Sequence, residues 1–372
     1  MDHISNISFR DSAGFIRYAL LILPAIALGV FVMAYSGSSP VLWGQQIAAW
    51  LLFSLLSIRL CRAAKRIPPA LWSILILIAL IATLFHTGPN GVKRWLDLGI
   101  LNVNAALLVL PALLSVLPRA KHPHPLMLAA AVILALQPDL SQLAALYAAA
   151  LPLLWLRKDQ RFRSLASLIV LTMLLVCCLH VPAELEPAHY SEGILTVLGE
   201  KSWLLQVMGY ALLAAVPAYF AYRYAKHGHV HLLSLAVYYT VSMLFTLSGE
   251  YPVPFMGFGL SPIFGYFLAF ICAPDDSVEF RAMTQAERIA HMESILDKAN
   301  LALLTAQDDP GSLDALQDLV KELEAYYTGP LWKQDYDDDR AGRLPQGLKR
   351  GVLSEDAVYS LLEEWDSYRH PN

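Results

Sequence analysis

Leu126-Met127-Leu128-Ala129-Ala130-Ala131-Val132-Ile133-Leu134-Ala135-Leu136 is an unbroken apolar run; Gln137-Pro138-Asp139 ends it, and Leu140-Ser141-Gln142-Leu143-Ala144-Ala145-Leu146-Tyr147 begins another. Neither run alternates as a half-buried strand does, and both continue too long for a strand. Pro stops the first helix, and Asp offers a carboxylate to the free N–H groups that open the second. The stretch therefore reads as two apolar helices meeting at a polar junction.

The same pattern extends in both directions. The chain of 372 residues is 56% hydrophobic and 16% charged, with a positive mean hydropathy, a balance that suits a bilayer better than water. Segments long enough to cross a hydrocarbon core of ~30 Å are expected at about 14–35, 40–59, 67–87, 100–118, 124–138, 140–156, 164–182, 203–224, 230–249 and 255–273. The expected fold is all-α: a polytopic membrane bundle of about ten transmembrane helices with a small C-terminal soluble helical domain.

Charge orients this bundle, because Lys and Arg collect on the cytoplasmic side of short loops. With the amino terminus inside, the inner loops carry Arg59, Arg62, Lys65, Arg66, Arg119, Lys121, Arg157, Lys158, Arg161, Arg163, Arg223 and Lys226, and the outer side only Lys93, Arg94 and Lys201. Both termini are thus expected in the cytoplasm. The first apolar run, from about Gly14, is expected to stay as a helix rather than be removed as a signal peptide. Cys61, Cys177, Cys178 and Cys272 fall in or at the ends of spans without metal-like spacing, and no metal ligands are expected.

The formal charge of -4 hides two opposed parts. Residues 1–273 hold 17 basic and 10 acidic side chains, and residues 274–372 hold 10 and 21. The expected domains are therefore a membrane domain over 1–273 and an acidic cytoplasmic helical domain over 274–372. In the latter, Thr284 with Glu287 forms a capping box before Ile289, Met292, Ile295, Leu296 and Ala299. Leu313, Leu316, Leu319, Val320 and Leu323 mark a second helix, and Ser354 caps a third that carries Ala357, Val358, Leu361 and Leu362. Between them, Tyr327, Trp332 and Tyr336 are expected as a local core. The wording from Glu324 through Leu344-Pro345 to Asp356 resembles a small bacterial domain of unknown function, over most of 283–368.

Three polar motifs punctuate the apolar chain. Asn90-Gly91-Val92-Lys93-Arg94-Trp95-Leu96-Asp97-Leu98-Gly99 turns on the outer side; Gln137-Pro138-Asp139-Leu140 joins two spans; Pro252-Val253-Pro254-Phe255-Met256-Gly257-Phe258-Gly259-Leu260-Ser261 enters the last one. From residue types alone, Trp95 and the cations Lys93 and Arg94 suit interfacial anchoring, Asp139 suits a helix cap, and the small residues Gly257, Gly259 and Ser261 suit close approach of another helix or a lipid chain.

In that order the motifs resemble the SEDS family, the FtsW and RodA type of bacterial cell-wall polymerase, across residues 10–273. The resemblance implies a peptidoglycan glycosyltransferase of the bacterial inner membrane that polymerises a lipid-linked disaccharide precursor for cell division or cell shape. It implies a single-pass transpeptidase as partner, a divalent cation as the one cofactor to consider, and no nucleic acid. By the same resemblance Lys93, Arg94, Trp95, Asp139, Pro254 and Ser261 bind substrate. Within the outer loop 183–202, Gly199-Glu200 sets a frame whose eighth residue back is Glu192, in place of the family's catalytic Asp. Glu192 is then the catalytic base. Two departures point the other way: Asn104-Ala105-Ala106-Leu107 replaces the family's Gln-Pro-Ser-Glu, with Leu110 where a Lys follows, and the outer loop is short. They favour the alternative, a non-catalytic relative that binds precursor or partner. A transporter would need ionisable groups inside the spans, and the segments hold almost none.

Overall fold

The computed structural model describes residues 12–64, 67–86, 92–97, 99, 102–156, 160–180, 191–273, 285–306 and 313–369. Contacts divide the chain into two compact units, one over Ser12–Pro274 and one holding the C-terminal residues.

The first unit is a bundle of apolar helices. They are α1 (Ser12–Leu21), α2 (Leu23–Tyr35), α3 (Pro40–Ala64), α4 (Pro69–Ala82), α5 (Ala105–Val116), α6 (Pro123–Leu136), α7 (Leu140–Leu156), α8 (Arg161–Leu179), α9 (Ile194–Lys201), α10 (Trp203–His227), α11 (Val230–Phe245) and α12 (Ser261–Cys272). Among the described residues, five apolar helical segments reach membrane-crossing length: Gly14–Tyr35, Pro40–Ser57, Arg161–Leu179, Trp203–His227 and Val230–Ser248. Five more are apolar but shorter: Pro69–Phe85, Ala105–Arg119, Pro123–Leu136, Leu140–Trp155 and Ser261–Cys272. Large apolar side chains such as Leu55, Trp155, Phe162, Leu165 and Met173 point outward. So much exposed apolar surface has lipid, not water, as its solvent.

Two expected spans are shorter than their apolar sequence, for a visible reason. The segment expected at 100–118 begins as a helix only at Ala105, because a small antiparallel hairpin, β1 (Trp95–Asp97) with β2 (Asn102–Asn104), precedes it. Asp97 Oδ1 accepts from the Gly99 N–H at 2.7 Å, and Gly99 sits at φ 83, a turn that uses both an Asx acceptor and glycine's freedom at positive φ. The segment expected at 255–273 is helical only from Ser261, since Val253, Pro254, Phe255, Met256 and Gly257 run buried but irregular. Irregular backbone at membrane depth is tolerated where protein surrounds it.

Gly29 explains that burial. A Cβ on Gly29 of α2 would stand 2.2 Å from the Met256 carbonyl oxygen, and one on Gly257 would stand 2.6 Å from the Ser191 carbonyl oxygen. Gln46 of α3 donates from Nε2 to the Gly257 carbonyl at 2.8 Å. Glycine and one amide thus dock the segment against two helices and a loop. Further along, a Cβ on Gly265 would lie 2.1 Å from the Leu107 carbonyl oxygen, so α5 and α12 cross at backbone distance. At the next residue of α12, Tyr18 and Tyr266 stack with centroids 4.0 Å apart and exchange hydroxyl-to-carbonyl hydrogen bonds.

Among the described residues the C-terminal unit has four α-helices: α13 (Gln285–Ala306), α14 (Leu313–Tyr327), α15 (Pro330–Arg340) and α16 (Glu355–Arg369). The expected apolar positions Ile289, Met292, Ile295, Leu296, Ala299, Leu316, Val320, Leu323, Val358 and Leu361 form its core. Ser354 Oγ accepts from the Ala357 N–H at 3.4 Å. Thr284, the first half of the expected capping box, lies outside the described residues. The acidic stretch of α15 is a helix that apolar spacing does not announce. Trp332 stacks on Tyr336 and meets Tyr327 edge-on, with centroids 5.0 and 4.9 Å apart. Beneath it Asp335, fully buried, accepts from Arg288, from Tyr326 OH at 2.8 Å and from Gln285 Nε2 at 3.0 Å.

Candidate functional site

The membrane unit holds a cleft that opens to solvent. Its lining comes from five places in the sequence. The β-hairpin supplies Arg94, Trp95 and Asn104; α5 supplies Leu107; the α6–α7 junction supplies Asp139, Ser141 and Gln142; the loop before α9 supplies Glu192; and the end of α11 with the following loop supplies Ser242, Glu250, Tyr251, Pro252 and Pro254.

The hairpin fixes Arg94. The register pairs Trp95 with Asn104 and Asp97 with Asn102, and the Ala105 N–H donates to the Arg94 carbonyl at 3.1 Å. Asn104 in turn caps α5, its Oδ1 accepting from the Leu107 N–H at 3.1 Å, while its own N–H donates to Ser261 Oγ at 2.8 Å. Ser261 is buried at the start of α12 and stands behind the cleft rather than in its lining.

Arg94 turns inward to the α6–α7 junction. Its Nε donates to the Gln137 carbonyl at 3.2 Å and its Nη2 to the Pro138 carbonyl. Its Nε is also 3.9 Å from Asp139 Oδ2, with the two side chains 12% and 3% exposed. Asp139 meanwhile accepts at Oδ1 from Ser141 Oγ at 3.0 Å and from the Gln142 N–H at 3.3 Å, in the first turn of α7. Gln137 ties the junction to α4, donating from Nε2 to Thr83 Oγ1 at 2.6 Å and to the Leu80 carbonyl at 3.2 Å. Each member of Gln137-Pro138-Asp139 therefore has a structural partner, and the Asp139 charge is compensated where it lies. Lys93 occupies an exposed turn beside Arg94, outside the lining.

Glu192, half-buried, precedes α9, whose Ile194, Leu195 and Leu198 are buried. Its neighbour Ser191 accepts at its carbonyl from the Val253 N–H at 3.4 Å. The outer loop 183–202 also holds Glu184, Glu186, His189 and Tyr190 in sequence, which lie outside the described residues.

Of the sequence-predicted site residues, the cleft gathers Arg94, Trp95, Asp139, Glu192 and Pro254. Sequence reading missed Gln142, Ser242, Glu250 and Tyr251 as members. Glu250 and Tyr251 lie immediately before a motif already singled out, so proximity was the available signal. Among the described residues no three His, Cys, Asp or Glu side chains are grouped to hold a metal ion.

The chemistry this permits is that of a polar, acid-lined cleft at one end of an apolar bundle. Besides Asp139, held by Arg94, the cleft lining carries the carboxylates Glu192 and Glu250. A carboxylate so placed accepts hydrogen bonds or a proton from hydroxyl groups, and Trp95 and Tyr251 add aromatic surface with a polar edge.

The sequence model of a family described as a domain of unknown function, DUF4298, matches residues 289–368. No curated protein matches the chain. Among solved structures, the chain is similar to the Thermus thermophilus rod shape determining protein RodA, at 20% identity and a TM-score of 0.49, covering 68% of this chain and 93% of that one. An aspartate-to-alanine mutant of the same protein matches with the same identity and score, with 94% of its chain covered. The small-domain wording over most of 283–368 thus meets a counterpart in the DUF4298 match.

Proposed function

We propose that the membrane unit is a glycosyltransferase that extends a cell-wall glycan from a lipid-linked disaccharide in a bacterial cytoplasmic membrane. One observation carries this reading: a single cleft draws together Arg94 and Trp95, Asp139, Glu192 and Pro254, from stretches of sequence whose order resembles that of the wall polymerases. The cleft lies where helices end and loops begin, the level at which a polyprenyl carrier would present its pyrophosphate and sugars.

In this reaction the oxygen of a sugar hydroxyl attacks the anomeric carbon of the donor. Glu192 takes the hydroxyl proton, the bond from the anomeric carbon to the pyrophosphate oxygen breaks, and the pyrophosphate leaves with that electron pair, inverting the centre. Lys93 and the outer edge of Arg94 provide the positive charge near the departing group. The topology of this reading places both termini in the cytoplasm and the cleft outside, next to a single-pass transpeptidase, in division or in cell shape.

The test is polymerisation of lipid-linked disaccharide by the protein purified in detergent, read on a gel, with Glu192→Gln beside it. Product from the parent that falls by about 10²-fold or more in the variant supports the reading. A second reading, a precursor-binding scaffold, is favoured by the commitment of two Arg94 donors to backbone carbonyls and by Leu107 in the cleft wall where an acid is expected. It predicts precursor binding by both proteins and product from neither.

A further inference from the structure

Glu250 is a carboxylate of the cleft that the mechanism above does not use. It is placed by a defined turn. Gly249 stands at φ 74, the Glu250 N–H donates to Ser248 Oγ at 3.3 Å, and Tyr251 meets Phe245 edge-on with centroids 4.9 Å apart. The loop that carries Glu250 is also stitched to the loop that carries Glu192. The Val253 N–H reaches the Ser191 carbonyl at 3.4 Å, and Gly257 lies so close that a Cβ would stand 2.6 Å from the same oxygen. The loops that carry the two glutamates are thus joined, with Glu250 exposed and Glu192 half-buried.

Leu107 lines the same cleft, and Leu107 is the position at which the motif resemblance expects a Glu. The acid missing from α5 has a counterpart on the facing loop. We propose that Glu250 is a positioning residue that binds the hydroxyls of the sugar in this cleft, supplying from the loop before α12 the carboxylate that α5 lacks. The inference rests on the reading of the cleft as a site for a lipid-linked saccharide. Charge decides which part of that ligand it serves. An anionic side chain repels a pyrophosphate, whereas its two oxygens accept hydrogen bonds from neighbouring hydroxyls. Tyr251 and Trp95 supply the flat faces against which a sugar ring packs.

The experiment measures binding of two fluorescent probes to the full chain in detergent: a polyprenyl-pyrophosphate disaccharide and the same polyprenyl pyrophosphate without sugar. The parent protein should prefer the sugar-bearing probe. Glu250→Gln should weaken that probe by about tenfold, the effect of losing charged hydrogen bonds, and bind the sugar-free probe at least as tightly as the parent does, which also shows that the variant is folded. Adding Leu107→Glu to Glu250→Gln should restore part of the preference. Equal loss of both probes, or no loss of either, overturns the role of Glu250 while leaving the saccharide site standing. A parent protein without preference for the sugar-bearing probe overturns the site and the role of Glu250 together.

Discussion

Arg94 shows how one residue type serves two readings. The sequence offers it as an interfacial cation or a phosphate grip, and the fold turns it inward to the Gln137 and Pro138 carbonyls and to Asp139. Removing one partner of such a buried set leaves the other charge uncompensated, a change of about 3–5 kcal/mol. Arg94→Ala should therefore lower the thermal midpoint in detergent well below that of Lys93→Ala, whose side chain lies on an exposed turn. Equal midpoints would place Arg94 among surface anchors. The sequence identified Asp139 as a helix cap because Asp after Pro at the start of an apolar run has few other uses. It could not reveal the Arg94 partnership, which spans more than forty residues and depends on how the hairpin folds back.

At the scale of elements, glycine sets which helices touch. Gly29→Ala, Gly257→Ala and Gly265→Ala each drive a methyl group into backbone carbonyl oxygens of another element, and backbone cannot swing aside as a side chain does. Each should destabilise the bundle by about 1–3 kcal/mol. Gly44→Ala, with no atom within 4 Å of the added Cβ inside α3, should instead stabilise by about 0.5–1 kcal/mol. Thermal scans of the four variants in one detergent separate these outcomes, and a neutral Gly257→Ala would contradict the close docking of the segment before α12. Small residues near 257–261 were legible as a place of close approach. Their partners were not, because Met256, Gly257 and Ser191 meet only through the irregular stretch that replaces the first turns of the last expected span.

For the molecule as a whole, the two units are held differently: the first exposes much apolar surface, and the other closes on a buried apolar core with a buried ion pair. Calorimetry of the full chain should resolve two transitions. Asp335→Ala, which strands the buried Arg288, should lower only the transition of the C-terminal unit, by about 3–5 kcal/mol, and Gly257→Ala only that of the membrane unit. The C-terminal transition should also depend on pH at both extremes. The Gln285 amide and then Arg343 hold the Asp338 carboxyl below its ordinary value. Its stabilisation is present above the ordinary carboxylate range, near pH ~4, and is lost as pH falls through the lower folded value. Hydrogen bonding to Asp297, ahead of Glu293, raises Lys349, so its contribution is complete below the ordinary lysine value of ~10.4 and is lost as pH rises past it. A transition that stays level from pH 3 to pH 11 would show that neither pair contributes.

By itself the sequence determined the solvent of each part, the helical class and most helix positions, since apolar run length, spacing and charge are local properties summed along the chain. It also determined the core of α13, α14 and α16, where 3.6-residue spacing survives in an acidic background. Only the tertiary structure decided that Glu250 and Tyr251 share a cleft with Glu192, that Ser261 stands behind it, and that position 107 forms part of its wall. Those facts depend on which helix ends meet at one end of the bundle, and that meeting is set by glycine contacts and buried amides between residues far apart in the chain.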